Sequence, residues 1–416
     1  MRRLALLCFA SLLGSGLALT APPRLQPIPK VQPGNPAAVR PGALQPTAPG
    51  TLAIAALPEL VLTPPVPGLA HLQYRGNGFI EVAAGTLLLS PADQTLARAR
   101  ALALQTVEGA LKARPGLSEV DVSAYRVGSY AGFGGPPPIF TASVPRARLN
   151  DFRAYVRTGA PYDRVYEGVG KSPSLPPAPP LRGRERQPTF YGSTSDLLKQ
   201  QVDQAVSQFR GGVRGGLLFK GTPRERFAAL SFDDAPHPLY EPLLLDLLRR
   251  AGVHATFFVI GRNAEVYPYF VRDMVQQGHE VGNHTYHHVR LPGLPEASVR
   301  DELARASAAI TAITGQPVRY FRPPGGDYSP LTLRVAESLG LTTTFWTDDP
   351  GDFANPGDRV IESRLVGRLR PGGIVLLHDN APEAIDVLQA FLHVARTRQT
   401  GLGTVGELAR VAAREK

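Results

Sequence analysis

From residue 227 onward the chain alternates between two spacings of apolar residues. Short apolar runs at 227–232, 255–260, 280–282, 319–321, 342–346 and 373–377 are each followed by a segment with helical periodicity. Leu243, Leu247 and Leu248 make one such stripe; Ala309, Ile310 and Ile313 make another. Short runs bounded by turn residues predict buried strands. Strict alternation of strand and helix predicts a parallel sheet with helices outside, either a barrel or a doubly wound sheet.

The stretch before it follows a different rule. Residues 79–89 predict a strand, and Ser90 then caps a helix with Pro91 at its first position and Asp93 in its first turn. Leu104, Val107 and Leu111 give that helix its stripe, and Pro115-Gly116 stops it. Val120, Val122 and Ala124 alternate as a strand, as do Phe140, Ala142 and Val144, and a short helix is expected after Asn150. The order β-α-β-β-α predicts a small two-layer α+β domain over residues 69–170, with no evident chemistry of its own. Gly168 to Ser172 ends like a phosphate-binding loop, but Val165 stands where the first glycine is required and proline-rich sequence follows, which excludes that function.

The connecting segments are compositionally distinct. Residues 21–68 and 171–192 are proline-rich and predict extended tethers. Between the second tether and the alternating region, residues 193–212 predict a linking helix with Leu198, Val202, Val206 and Phe209 on one face, stopped at Gly211-Gly212. Residues 222–416 make the strand-helix domain. At the start, Arg2 and Arg3 precede an apolar run over 4–19, the layout of a secretory signal over residues 1–20, with an uncleaved anchor as the alternative. After signal cleavage no membrane span is expected. The single cysteine, Cys8, lies in this segment, so the mature chain would have neither a disulfide nor a cysteine nucleophile. The net charge of +10 favours anionic surroundings, but the basic residues are scattered rather than clustered, which argues against nucleic acid as a partner.

The polar residues at the ends of the predicted strands carry the chemistry. Asp233, His284, Arg322, Asp349 and His378 all fall at or just after the C-terminal end of a run, the rim that bears the active site in α/β barrels. Asp233-Asp234 places two carboxylates side by side, which demands a compensating cation. His284 and His288, four residues apart, would lie on one face of a helical turn and hold a divalent ion from one side. One of the two aspartates would complete the ligand set, and the other would be free to act as a base. An ion so held brings the pKa of a bound water down to about 7. Arg322, in the rigid Arg322-Pro323-Pro324 turn, would orient the base through a bidentate pair. His378 is the natural proton donor to a departing group, and Asp352 beside it would keep it charged. The assembly predicts hydrolysis of an acyl group.

In order and spacing, Asp233-Asp234, His284-x-x-x-His288, Arg322-Pro323-Pro324, Asp352 and Leu376-Leu377-His378 resemble the motifs of the polysaccharide deacetylases of the NodB-homology type, carbohydrate esterases of family 4. The sequences around Ala255-Thr256-Phe257-Phe258 and Gly278-His279-Glu280-Val281-Gly282-Asn283 are similar too. The resemblance covers residues 227 to 411. It implies a distorted (β/α)7 barrel, here preceded by the small α+β domain. By position it implies Asp233 as general base, Asp234, His284 and His288 as metal ligands, Arg322 orienting Asp233, Asp352 tuning His378, and His378 as general acid. It also implies that Leu376 lines the pocket for the acetyl methyl, with Phe353, Trp346, Pro324 and Gly325 around the substrate. Zinc is the expected metal, with cobalt, manganese or nickel as alternatives. The expected partner is an acetylated glycan (peptidoglycan, a chitin-like polymer or xylan), met after secretion to the cell envelope or periplasm; oligomeric state is left open.

Three positions depart from the family pattern: Ala235 replaces a glycine, Gly325 a tyrosine and Phe353 a tryptophan. None removes a catalytic group, and Ala235 implies an ordinary negative φ at that position. His254, His279 and His287 are expected to be structural, His237 to flank the cleft, and Asp348 and Asp349 to belong to a turn. Two other functions fit the same residues less closely: a non-catalytic wall-binding protein, and a hydrolase of a small non-sugar amide.

Overall fold

The computed structural model describes residues 56–128, 130, 136–168, 211–222 and 226–414. The expected signal, residues 21–55 of the first tether, the second tether and nearly all of the linking helix lie outside these residues.

Five strands form the first sheet: β1 (Leu69–Gly76), β2 (Glu81–Leu89), β3 (Leu117–Arg126), β4 (Phe140–Pro145) and β5 (Val165–Glu167), paired in that order. The β2–β3 pair is parallel and the others are antiparallel. The helix Leu96–Ala113 makes the crossover and buries Leu102, Val107 and Leu111 against the sheet. The expectation missed β1, whose mixed composition gives no clean alternation. The chain also docks earlier than the tether boundary at residue 68 implied. Glu59 bridges to Gln73, Leu60 N donates to Leu72 O at 2.8 Å, and Leu62 is buried in the core of this sheet. An apolar residue every second or third position is enough to hold an extended segment on a sheet edge, proline-rich or not.

Beyond it come β6 (Leu217–Leu218), β7 (Phe227–Ala235), β8 (Thr256–Val259), β9 (Glu280–Asn283), β10 (Tyr320–Phe321), β11 (Thr342–Thr344), β12 (Ile374–His378) and β13 (Gly401–Gly403). They run in the order β12-β7-β8-β9-β10-β11-β6, with β13 against the start of β7, and every pair is parallel. Closure comes from the chain just past β11: Asp348 bridges to Val375, and Leu376 N donates to Asp348 O at 2.9 Å. The ring is the distorted (β/α)7 barrel. Helices such as Glu241–Ala251, Glu296–Thr314 and Pro382–Thr397 cover the outside, burying Leu243, Leu247, Leu303 and Leu388.

The two sheets are joined by polar contacts as well as apolar ones. Asn77 Nδ2 donates to Leu243 O at 2.9 Å, Thr141 Oγ1 to Val266 O at 2.6 Å, and Ser123 Oγ lies 3.1 Å from Tyr267 Oη. Arg164 Nη1 reaches both oxygens of Asp273, at 2.9 and 2.7 Å, while its Nη2 holds Glu119 at 3.0 Å. Among the described residues no helix is long and apolar enough to cross a membrane.

Candidate active site

β7 ends in the two aspartates. Asp233 keeps strand geometry and Asp234 turns left-handed, with φ 67°. Ala235 has no positive φ, as its methyl requires; the strained step falls one residue earlier than the family's glycine would suggest. Both carboxylates are buried.

Arg322 follows β10 and is fully buried in the barrel, its guanidinium 4.1 Å from the centroid of the Phe258 ring. Its Nη1 donates to Asp233 Oδ1 at 2.8 Å and to Ser231 Oγ at 2.9 Å, while Nη2 donates to Phe345 O at 3.1 Å. The expected bidentate pair is therefore a single bond to Asp233, with Nη1 and Nη2 also bonded to the barrel wall at Ser231 and Phe345. Ser231, which the motif pattern did not flag, completes this by donating to Val375 O at 2.7 Å.

The two histidines are brought together, though not by a helix. Residues 284–288 form a loop in which Thr285 (φ 63°) and His288 (φ 58°) are left-handed. Side chains take the loop's backbone donors. Asn283 Oδ1 accepts Thr285 N at 2.8 Å, and Glu302 Oε2 accepts Tyr286 N at 3.0 Å and His287 N at 2.8 Å. Glu302 Oε1 also lies 2.6 Å from His287 Nδ1, so His287 is structural, as expected.

His284 Nδ1 lies 2.7 Å from Arg322 O and donates to it, which leaves Nε2 as a lone-pair donor facing the aspartates. Nε2 of His288 is 3.0 Å and Nε2 of His284 3.5 Å from Asp234 Oδ1. One atom from each of these three residues fits within a span of 4.8 Å. Two imidazoles and a carboxylate are a common ligand set for divalent transition ions. The electrostatics agree: burial pushes Asp234 up, but His288 and His284 outweigh it and hold the carboxyl well below its ordinary value. Burial likewise pushes His284 down, and Asp233 and Asp234 more than reverse it. The pocket favours positive charge at its centre, and the three residues fit a metal.

Across from them stands His378, at the end of β12. It is the register partner of Asp233 on β7. Asp352, fully buried, accepts the ring Nδ1–H at 2.9 Å through Oδ1 and the backbone N–H at 2.7 Å through Oδ2. Burial alone would push His378 down; Asp352 first, then Asp234 and Asp233, raise it to about 10.

The remaining expected residues lie around this core. Leu376 is buried on β12, and the Phe353 ring lies 5.2 Å from that of His378. Pro324 and Gly326 are buried in a short turn whose Gly325 (φ 64°) faces solvent. Trp346 packs on Gly326, so closely that a Cβ there would come within 2.6 Å of its ring. Asp348 is not a turn residue as expected but bridges to Val375 in the barrel closure, whereas Asp349 Oδ1 accepts Gly351 N within a turn. His237 stacks on Tyr240, and its backbone N–H is held by Asp379.

The family described as Polysaccharide deacetylase matches residues 220–344. A peptidoglycan-N-acetylglucosamine deacetylase of Bacillus cereus is 34% identical over 172 residues, 41% of this chain and 80% of that protein. A chitooligosaccharide deacetylase of Bradyrhizobium is 43% identical over 159 residues, 38% of this chain and 72% of that protein. Among solved structures, a family 4 pseudoenzyme of Bacillus anthracis is 29% identical, with a TM-score of 0.46 over 47% of this chain and 70% of that one. With these sequence matches spanning most of both deacetylases, the chain belongs to the polysaccharide deacetylase family.

Proposed function

We propose that the protein is a secreted, metal-dependent deacetylase that hydrolyses N-acetyl groups, and less readily O-acetyl groups, of a cell-wall or extracellular glycan. The observation that carries this is the placement of Asp233 and His378 as register partners beside the Asp234, His284 and His288 set. A base and an acid then stand side by side next to the ion site, one for the attacking water and one for the departing amine.

Asp234, His284 and His288 would hold the divalent ion, which when bound would acidify a water and polarise the acetyl carbonyl. Asp233 takes the proton of the attacking water, its Oδ1 fixed by Arg322 so that Oδ2 faces the site. His378, kept protonated by Asp352, gives its proton to the departing amine of the sugar, which leaves as a neutral group. Leu376, Phe353, Trp346 and the Pro324-Gly325 turn form the walls against which the acetyl group and sugar would sit. Zinc is the first choice for the ion, with cobalt, manganese and nickel compatible with the same donors.

Peptidoglycan and chitin-type oligomers are the first substrates to try, since the relatives are named for them. The test is acetate release from N-acetylglucosamine oligomers, peptidoglycan and acetylxylan by metal-loaded protein. EDTA should abolish release and added Zn²⁺ should restore it. Asp233→Asn should keep the metal and lose at least ~10²-fold in rate. Metal-loaded protein that releases no acetate from any of the three would overturn the proposal.

A further inference from the structure

Directly behind the catalytic residues is a second pair of carboxyls that the mechanism does not use. Glu241 opens the helix Glu241–Ala251 and is fully buried; among the described residues neither of its carboxyl oxygens has a hydrogen-bond donor. Asp379, also fully buried, follows His378 directly. Its Oδ2 accepts His237 N–H at 2.5 Å and its own N–H donates to Asp233 O at 2.8 Å, while Oδ1 has no donor. Glu241 N in turn donates to His237 O at 3.0 Å.

Two carboxylates buried against each other cannot both be ionised. A single proton between them supplies the missing donor: Glu241 as the neutral acid, donating to the oxygen of Asp379 that otherwise has none. Burial first and the facing Asp379 second push Glu241 well above its ordinary value, in keeping with this. The distant Asp273 pushes the same way. Asp379 is then held at its N–H by Asp233, at Oδ2 by His237 and at Oδ1 by Glu241.

We propose that Glu241 is a positioning residue: by sharing one proton with Asp379 it fixes the turn carrying Asp233 and Asp234 against the end of β12 that carries His378. This rests on the deacetylase function proposed for that site. Glu241 touches no reacting atom. It acts through Asp379 on the separation of base and acid, where a misplacement of about 1 Å can cost ~10²-fold.

The test has two arms. Infrared spectra of the full-length, metal-free wild-type protein at pH 8 should contain the carbonyl stretch of protonated carboxylic acids. Part of that signal should vanish in Glu241→Gln, which removes the proposed acid. This arm needs no activity, so it stands whether or not the deacetylase assignment does. In the kinetic arm, Glu241→Leu should lower kcat by ~10- to 10²-fold with KM within about threefold. Glu241→Gln, whose amide can donate to Asp379, should recover most of the rate. No change in the infrared signal in Glu241→Gln overturns the shared proton. Equal kcat for Glu241→Leu and wild type, or a Gln variant as slow as the Leu variant, overturns the positioning role. Should Glu241→Leu fail to fold, the infrared arm and the Gln variant still decide.

Discussion

Asp352 grips His378 twice, through the ring Nδ1–H at 2.9 Å and through the backbone N–H at 2.7 Å, so one carboxylate sets both the charge and the place of that imidazole. With its pKa raised to about 10, His378 stays protonated through the neutral range, and the alkaline limb of activity should fall as pH rises through that value. Asp352→Asn removes the charge. The alkaline limb of kcat/KM should then move down toward the ordinary histidine value of about 6.5, and the rate at pH 8 should drop by ~10²-fold. The stability linkage has the same sign. Because the folded-state value is raised, the stabilisation is complete below about 6.5 and disappears as pH rises through about 10. An unmoved limb in the variant would assign the proton donor elsewhere.

His288→Ala and Asp234→Asn each remove one of three donors. Each should leave the fold intact and the purified protein without its bound metal, as read by elemental analysis and calorimetric titration with Zn²⁺. Full metal occupancy in both variants would place the ion at other residues.

Glu302 should matter to the ion without touching it. It accepts two backbone N–H groups and the His287 ring in the loop between His284 and His288. Glu302→Ala releases that loop, and the affinity for Zn²⁺ should fall by ~10- to 100-fold, the usual cost of losing an outer partner of a ligand set. Unchanged affinity in titration would show that the loop holds its shape unaided.

Gly326 has φ 70°, and an added Cβ would meet Trp346 at 2.6 Å. Gly326→Ala should destabilise by about 1–2 kcal/mol from the backbone alone. The displaced indole should also raise KM for oligomers. A denaturant midpoint equal to wild type would mean that the turn relaxes freely.

Much of this was legible in the chain because strand-end chemistry leaves a local trace. Asp233, His284, Arg322 and His378 each sit where an apolar run stops, and a parallel barrel gathers such ends on one rim. What was not legible depends on partners distant in sequence. Ser231 reads as one more residue of a strand until Arg322, 91 positions later, arrives beside it. Glu302 reads as part of a solvated helix face, yet it satisfies the backbone of a loop 15 residues away. The four-residue histidine spacing suggested a helical turn because spacing constrains distance and not backbone path; Asn283 and Glu302 made a left-handed loop the cheaper route to the same pair. β1 went unseen because its pairing with β2, not its own composition, makes it a strand.

The seam between the two sheets also bears on how the protein can be handled. Thr141, Ser123, Asn77 and Arg164 supply hydrogen-bonding groups to the barrel's Val266, Tyr267, Leu243 and Asp273. A chain trimmed to begin at Gly211 would present those groups, and the aromatic cluster of Tyr267, Tyr269 and Phe270 behind them, to bulk water. The trimmed chain should therefore melt well below the intact one.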